Sequence, residues 1–359
     1  MSRTLIEQLD REPQLERVDD GLVVWQIDSF AREYEALRGG AGLVDLSGSG
    51  PLRVHGPGAA DALNRALTRD LSFLAPEQTQ TSLVLGPDGR PLDIVVVLAV
   101  AYEDYLVHCG PGRDGRVAEA LRAVARPPGG PAVENLRDRM SVLAVEGPSS
   151  WRAVHEVLGE DYVALAYGSL LPAEVEGEEV LVARIGVTGE YGYTLFAPHG
   201  VAPRLWRALA RHSTPAGHRA LETAMFEVRQ PVLHRELTEH STVLSAGLNW
   251  LVDRTKEGFT GSVAVAAEAA RDEGTRPIGF GVAQGVVEVG DELLVESESV
   301  GRVVHIVDSP GYGGRLGLAQ VDRQWKAARL EFRTASGALV RTLAAPYVVP
   351  RSWTTPIEI

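Results

Sequence analysis

The sequence lacks several features that would define a function. It has one cysteine, Cys109, in 359 residues, so an intrachain disulfide and a cysteine-based zinc or iron–sulfur site are excluded. Only Lys256 and Lys326 are lysines, and the net charge of −13 argues against a nucleic-acid or anionic-membrane partner. The longest apolar runs are strand-sized, too short to span a bilayer. Because the N-terminal stretch is charged and unlike a signal peptide, we expect a cytoplasmic protein.

The commoner catalytic motifs are also missing. The chain has no phosphate-binding loop ending in Gly-Lys-Ser/Thr, no His-Glu-x-x-His zinc helix and no Gly-x-Ser-x-Gly elbow. The glycine-rich stretches 48–52 and 311–317 are interpreted as turns. The segment 233–240 holds His234 and His240, but this pair lacks zinc-helix spacing. A solvated helix end is therefore favoured there over a metal site, and no metal is expected.

What is present is a mixture of helices and strands, followed by strands alone. Three strand candidates separated by short turns predict an antiparallel meander, and a strand, a Gly-Pro turn and a helix occur twice. From Ile278 onward there are only short strands, which indicates a small β barrel. The predicted elements are a helix at 29–38 capped by Ser29, strands at 52–55, 82–85, 92–100 and 105–109, a helix at 115–125, a junction loop at 126–131 and a helix from 217 to about Pro231.

One carboxylate in the meander is unusual. Asp88-Gly89 is an ordinary turn pair, and Ile94–Val100 is an apolar run typical of a buried strand. Asp93 directly precedes that run. It is either a solvated residue at a strand start or a buried carboxylate; burial without a partner would raise its proton affinity and suit it to acid–base chemistry.

Six stretches resemble, in order, the glycine cleavage system T-protein (aminomethyltransferase) and its folate-dependent relatives. "PDGRPLDIVVV" is similar to the family's Gly-Gly-x-x-Asp-Asp-Leu-Ile-Val segment, and "FEVRQPVLHREL" to its Leu-Glu-Ala-Gly-x-Pro-Leu-Tyr-Gly-x-Glu-Leu segment. "VTGEYGYTLF" resembles Tyr-Thr-Gly-Glu-Asp-Gly-Phe-Glu-Ile. The resemblance covers nearly the whole chain, at residues 42–71, 87–97, 187–196, 226–237, 245–265 and 300–321.

The resemblance implies an α+β fold, a three-domain cloverleaf in which two intertwined α/β subdomains are followed by a C-terminal β barrel. The expected boundaries are 1–275 for the folate-binding region, with subdomain 51–130 inserted between 1–50 and 131–275, and 276–359 for the barrel. It also implies a one-carbon transferase that uses tetrahydrofolate and acts on a small molecule, with a carrier or corrinoid protein partner left open. Asp93 matches the family's catalytic carboxylate.

Departures from the family pattern surround Asp93. The position of the family's pterin-binding Glu falls at Thr194, and that of an Arg before the helix Glu falls at Met225. Without the carboxylate, buried pterin donors would lose a partner, at a cost of about 2–5 kcal/mol. The expected cofactor-binding positions are Thr81, His108, Val187, Thr194, Met225 and Leu233, whereas Glu190 and Glu227 are expected to hold a turn and a helix.

Three functions follow from this comparison. The first is one-carbon transfer, most simply methyl or aminomethyl transfer, with Asp93 as the acid–base or charge-stabilising residue. The second is an enzyme on the same fold that has lost folate and serves specialised biosynthesis, because Val187, Met225 and Leu233 favour an apolar ligand. The third, a folate-binding iron–sulfur assembly factor, is disfavoured because "KEGFTGS" lacks the cysteine of the matching motif.

Overall fold

A computed structural model describes residues 3–125, 129–271 and 273–357 of the chain. The helices are short and lie between strands in the first three quarters of the chain. They are α1 Arg3–Ile6, α2 Phe30–Gly39, α3 Ala59–Ala66, α4 Asp114–Val124, α5 Ser150–Leu158, α6 Glu160–Val163, α7 Ala202–Leu209, α8 His218–Glu227, α9 Leu233–Glu236 and α10 Ser262–Arg271. Single turns of 3₁₀ helix lie at Asn249–Leu251, Arg323–Trp325 and Arg351–Trp353.

The strands form a two-stranded hairpin, two larger sheets and a closed barrel. The strands of the first three quarters are β1 Gln14–Val18, β2 Gly21–Gln26, β3 Gly42–Asp45, β4 Leu52–His55, β5 Thr79–Leu85, β6 Pro91–Ala101, β7 Asp104–His108, β8 Ala132–Asn135, β9 Met140–Glu146, β10 Leu170–Val175, β11 Glu178–Ala183, β12 Gly192–Pro198 and β13 Thr214–Pro215. The barrel strands are β14 Thr275–Gln284, β15 Glu292–Val295, β16 Glu298–Ser309, β17 Gly314–Asp322, β18 Glu331–Arg333 and β19 Leu339–Leu343.

The two larger sheets pack against each other. One has the strand order β5-β6-β7-β4-β8 and the other β10-β11-β12-β9-β3-β13. Apolar side chains of both sheets meet in one cluster that includes Leu98, Leu106, Val142 and Phe196. The antiparallel meander predicted for β5, β6 and β7 is confirmed. The α+β class with a C-terminal barrel is confirmed as well, since β14-β17-β16-β15-β18-β19 closes on itself.

The repeated strand–Gly-Pro–helix pattern has the same local structure in both sheets. Gly56 follows β4 and Gly147 follows β9, with φ of 95° and 125°, a region of backbone conformation that glycine adopts most readily. At Gly147 a side chain would also meet backbone oxygens, since a Cβ would lie 2.5 Å from the Gly40 carbonyl. The glycine therefore turns the chain sharply from strand into helix in each case.

The helix α8 ends earlier than predicted. The sequence suggested an end near Pro231, but the helix stops at Glu227. Arg229 adopts a left-handed φ of 63°, while Gln230 N–H donates to Met225 O and Arg229 N–H to Phe226 O, which is a Schellman-type helix end. The predicted junction loop lies partly outside the described residues, at 126–128. Within the described ranges, no helix is long and apolar enough to cross a bilayer.

Candidate active site

A cavity of about 610 Å³ lies where the two sheets meet the helices α8 and α9. This volume is typical of sites for cofactors and small substrates. All seven positions singled out from the sequence line it: Thr81 on β5, Asp93 on β6, His108 on β7, Val187 before β12, Thr194 on β12, Met225 on α8 and Leu233 on α9. The structure therefore brings together residues that are up to 152 positions apart, and their individual roles stay predictions.

Asp93 is buried, which resolves the alternatives left open by the sequence. It is 2% exposed, and the register of β5 and β6 shifts so that Leu92 is an extra residue directly before it. Bulges of this kind re-aim neighbouring side chains. Asp93 Oδ2 accepts the Gly110 backbone N–H at 2.7 Å. Burial raises the pKa of Asp93 to about 7, although the Arg113 charge and the Gly110 hydrogen bond oppose the rise.

His108 and Thr81 lie on β7 and β5, the two strands that flank the Asp93 strand β6. Thr81 and His108 both pair with Val96 in the register, so their side chains share one face. The His108 ring meets Phe196 edge-on, with centroids 5.5 Å apart. Burial lowers the pKa of His108 to about 4, so the imidazole is neutral at physiological pH. Its buried Nδ1 has no hydrogen-bond partner among the described residues.

The opposite wall contains Glu146, a carboxylate that the sequence reasoning missed. Glu146 is 1% exposed and lies at the end of β9, directly before the Gly147-Pro148 turn. Its carboxylate accepts the Val187 N–H at 2.9 Å and the Thr188 hydroxyl at 2.6 Å. Burial raises the pKa of Glu146 to about 7 despite these hydrogen bonds. The sequence signal available for Glu146 was a charged residue bordering an apolar strand, as it was for Asp93.

Glu146 and Thr194 are diagonal neighbours on adjacent strands. Gly192 pairs with Glu146 and Thr194 pairs with Ala144, so both side chains lie on one face of the sheet. The Thr194 hydroxyl donates to Ile185 O at 3.4 Å. The face that carries threonine at the expected pterin position therefore still holds a carboxylate, one strand away.

The α8–α9 wall combines apolar and ionisable groups. Met225 and Leu233 lie beside His218, Glu222 and His234 in the cavity lining. His218 Nε2 lies 3.2 Å from Asp45 O; because a carbonyl only accepts, this contact places the ring proton on Nε2. Burial lowers the pKa of His218. Burial raises the pKa of Glu222, but the neighbouring His234 and Arg235 lower it by more. The pKa of Glu222 therefore lies below its ordinary value.

The expectation of a solvated helix end at 233–240 is therefore wrong for part of that segment. The His234 side chain is 13% exposed and its Nε2 lies 3.0 Å from Glu222 Oε1, although the two atoms do not have hydrogen-bond geometry. Glu236 is buried and accepts the Val232 N–H. Only the far end behaves as predicted, since the His240 side chain is 82% exposed. The short α9 folds back onto α8, a tertiary contact that no local pattern encodes. No group of three metal-binding side chains occurs among the described residues.

Glu190 and Glu227 have the roles expected from the sequence, holding a turn and a helix. Neither lines the cavity. Glu227 accepts hydrogen bonds from Arg38 Nε at 2.8 Å and from the Tyr34 hydroxyl at 2.7 Å. Glu190 accepts the Ser352 N–H at 2.8 Å, and Arg38 Nη1 lies 3.4 Å from it. Arg38 is thus the cation shared by two buried carboxylates.

A deep cavity between two sheets, with a buried and protonatable carboxylate in its wall, defines an enzyme-type small-molecule site. The comparisons with known proteins agree with this description. The "GCVT N-terminal domain" family matches residues 23–256. The aminomethyltransferase of Streptomyces avermitilis is 34% identical over 331 residues, which are 88% of this chain and 87% of that protein. The aminomethyltransferase of Bacillus subtilis is 28% identical over 83% of this chain and 84% of its own.

The chain belongs to the aminomethyltransferase (glycine cleavage T-protein) family, and it is an enzyme of the one-carbon transferase type. A solved structure has the same fold: the glycine cleavage system aminomethyltransferase T from Bartonella henselae superimposes with a TM-score of 0.87, covering 97% of each chain at 21% identity. The family expected from the sequence motifs is confirmed.

Proposed function

We propose that the protein transfers a one-carbon unit, methyl or aminomethyl, between a small molecule and tetrahydrofolate in the central cavity. The observation that carries this proposal is Asp93, a buried carboxyl with a pKa near 7 in the cavity wall. A group with this pKa is present in both protonation states near neutral pH, which is the condition for efficient general acid–base catalysis. The names of the relatives support the same chemistry.

The residues of the cavity are compatible with a folate. When bound, tetrahydrofolate would supply the N5 nitrogen that accepts or donates the one-carbon unit. Asp93 would hold or release a proton close to that nitrogen, or stabilise positive charge on it. Glu146 and the neutral His108 offer polar atoms on two walls, and the apolar side chains of Met225 and Leu233 exclude water from a third wall.

Calorimetric titration with tetrahydrofolate tests the cofactor. We expect saturable binding, and we expect Met225→Trp, which fills the cavity, to abolish it. Val263→Trp is the matched control, because Val263 is 83% exposed on α10. Both variants should keep the melting temperature of the unmodified protein within a few degrees. Absence of binding at millimolar tetrahydrofolate would reject the proposal.

A folate-independent enzyme for specialised metabolism is the second candidate. It is favoured by the apolar residues Val187, Met225 and Leu233 and by Thr194, all of which line the cavity in place of polar family residues. Under this alternative the protein would bind an apolar small molecule and ignore tetrahydrofolate. The titration therefore separates the two candidates, and mass spectrometry of any ligand that co-purifies would name the substrate class.

Gly110→Ala tests the placement of Asp93 without removing it. A Cβ at Gly110 would lie 2.9 Å from Asp93 Oδ1, so the carboxyl must move. We expect kcat to fall by about tenfold or more, because small displacements of a reacting group are costly. Gly115→Ala on α4 is the control, since its Cβ meets nothing within 4 Å. Equal activities of the two variants would contradict the role given to Asp93.

A further inference from the structure

The tip of the β1–β2 hairpin touches the turn that follows β7. Gly112, in this turn, has a φ of 70°, and a Cβ there would lie 2.4 Å from Gly21 N and 2.3 Å from Val18 O. Such close backbone contact is open only to glycine. It brings Asp19, at the hairpin tip, next to Arg113, and Asp19 itself has a left-handed φ of 48°.

Arg113 connects the hairpin tip to the strand that carries Asp93. It is 5% exposed and lines the cavity. Its Nε donates to Asp19 Oδ2 at 2.8 Å, and its Nη1 donates to the Leu92 carbonyl at 2.9 Å, one residue before Asp93. Arg116 also reaches Asp19, with Nη2 at 3.1 Å from Oδ1, but its side chain is 39% exposed. Asp19 thus fixes one buried and one exposed arginine.

The Arg113 charge is the largest of the influences that oppose the effect of burial on Asp93, ahead of the hydrogen bond from Gly110. Asp19, an anion, is bound directly to Arg113. Several other ionisable groups belong to the same surroundings: Cys109 and Arg116 near the carboxyl, and His108, Glu146, His218, Glu222, His234 and Arg69 in the cavity lining.

We propose that the Asp19–Arg113 pair is a positioning device that sets how firmly Asp93 holds its proton. Arg113 anchors the backbone beside Asp93 and supplies a cation, and Asp19 both orients and partly neutralises that cation. Without Asp19 the full Arg113 charge would act on Asp93 and favour its ionised form. Without Arg113 the anion Asp19 would remain nearby, and the protonated form of Asp93 would be favoured. The catalytic consequence of this device rests on the proposed function of Asp93.

The two substitutions should therefore act in opposite directions. The test follows the Asp93 carboxyl carbon by NMR during a pH titration of protein labelled with ¹³C-aspartate, with Asp93→Asn used to assign the signal. We expect the Asp93 titration midpoint to fall by about one pH unit in Asp19→Asn and to rise by about one pH unit in Arg113→Gln. Arg116→Gln, which loses the exposed partner of Asp19, is the matched control and should shift the midpoint much less.

Two further measurements keep the proposal open to rejection. Arg113→Lys keeps the charge and should retain most of the original midpoint, whereas Arg113→Met also removes the charge and replaces Arg113→Gln if that variant fails to fold. The pH profile of kcat/KM should move with the NMR midpoint in each variant. Shifts in the same direction for Asp19→Asn and Arg113→Gln, or no shifts, would overturn the proposal. Because the NMR titration needs no turnover, a protein without transferase activity would reject the proposed function alone.

Discussion

Asp93→Asn is expected to reduce kcat by about 100-fold or more, which is the range that a positioned acid–base group contributes. Asparagine has nearly the same shape and can still accept the Gly110 N–H, so tetrahydrofolate affinity should change much less than turnover. Single-turnover kinetics with a one-carbon donor, combined with calorimetry, would separate the two effects. A loss confined to KM would show that Asp93 contributes to binding only.

The matched control for this variant is Asp88→Asn. Asp88 belongs to the turn before β6, five residues from Asp93, and its side chain is 62% exposed. It accepts the Arg90 N–H within the turn and does not line the cavity. Its replacement removes the same charge at nearly the same place, so activity close to that of the unmodified protein is expected. Similar losses for the two variants would point to a general effect of charge on this hairpin.

Asp93→Asn should also alter the pH dependence of the free energy of unfolding. The pKa of Asp93 is about 7 in the folded protein and near 3.8 when solvated, so the folded state binds the proton more tightly. This carboxyl therefore does not lower the free energy of unfolding below about pH 4, but it lowers it increasingly as the pH rises from there through 7. The full difference is about 4 kcal/mol. Asp93→Asn should then be more stable than the unmodified protein at pH 8.5, and the difference should vanish near pH 4; urea unfolding at both pH values would measure it.

Arg38→Met is expected to cause the largest loss of stability. Arg38 is 5% exposed and donates to Glu227, to Thr188 O at 2.8 Å and to Ala224 O at 2.6 Å. Methionine fills similar space but leaves Glu227 and Glu190 buried without a cation. Breaking a buried ion pair in this way costs about 3–5 kcal/mol. A Tm lower by about 10 °C is expected in thermal unfolding followed by circular dichroism.

Arg32→Met is the control for this prediction, because Arg32 lies on the same helix. Its side chain is 64% exposed and pairs with Asp28 in solvent, so the Tm should barely change. If Arg38→Met also unfolded at the unmodified temperature, the buried carboxylates would have to be protonated or bound to water. If Arg38→Met lowers the Tm as expected, adding Glu227→Gln should recover part of the loss, since it removes one of the two uncompensated charges.

Much of the fold follows from local sequence signals. Ser29 accepts the Arg32 N–H as the expected N-cap of α2, and the short turns between β5, β6 and β7 give the meander directly. The end of α8 was not predictable in this way. Arg229 takes a left-handed conformation that arginine seldom adopts, and its ion pair with Glu236 forms only after α9 has folded back. Local propensity carries no information on such a tertiary contact.

The candidate site likewise contains residues that the sequence pointed to and residues that it did not. The position of Asp93 beside an apolar run left a solvated and a buried carboxylate open, and the family motifs pointed to Asp93 and to the six residues around the cavity. Glu146 escaped notice, and His234 was wrongly assigned to a solvated helix end, because their burial depends on which strands and helices become neighbours. Arg113 was equally hidden, since arginine is abundant in this chain and its partner Asp19 is 94 residues away. Pairings over such distances are decided by topology, which a single sequence does not display.

The barrel contributes no lining to the cavity, whose described wall residues all precede Leu251, yet it holds α8 in place. Ser309 and the Tyr347 N–H bind Glu227, on the helix whose other residues Glu222 and Met225 face the ligand space. The barrel therefore supports one wall of the site from outside the cavity. We expect an exchange of the barrel for that of a relative to change ligand affinity in a binding titration, although every cavity residue stays the same.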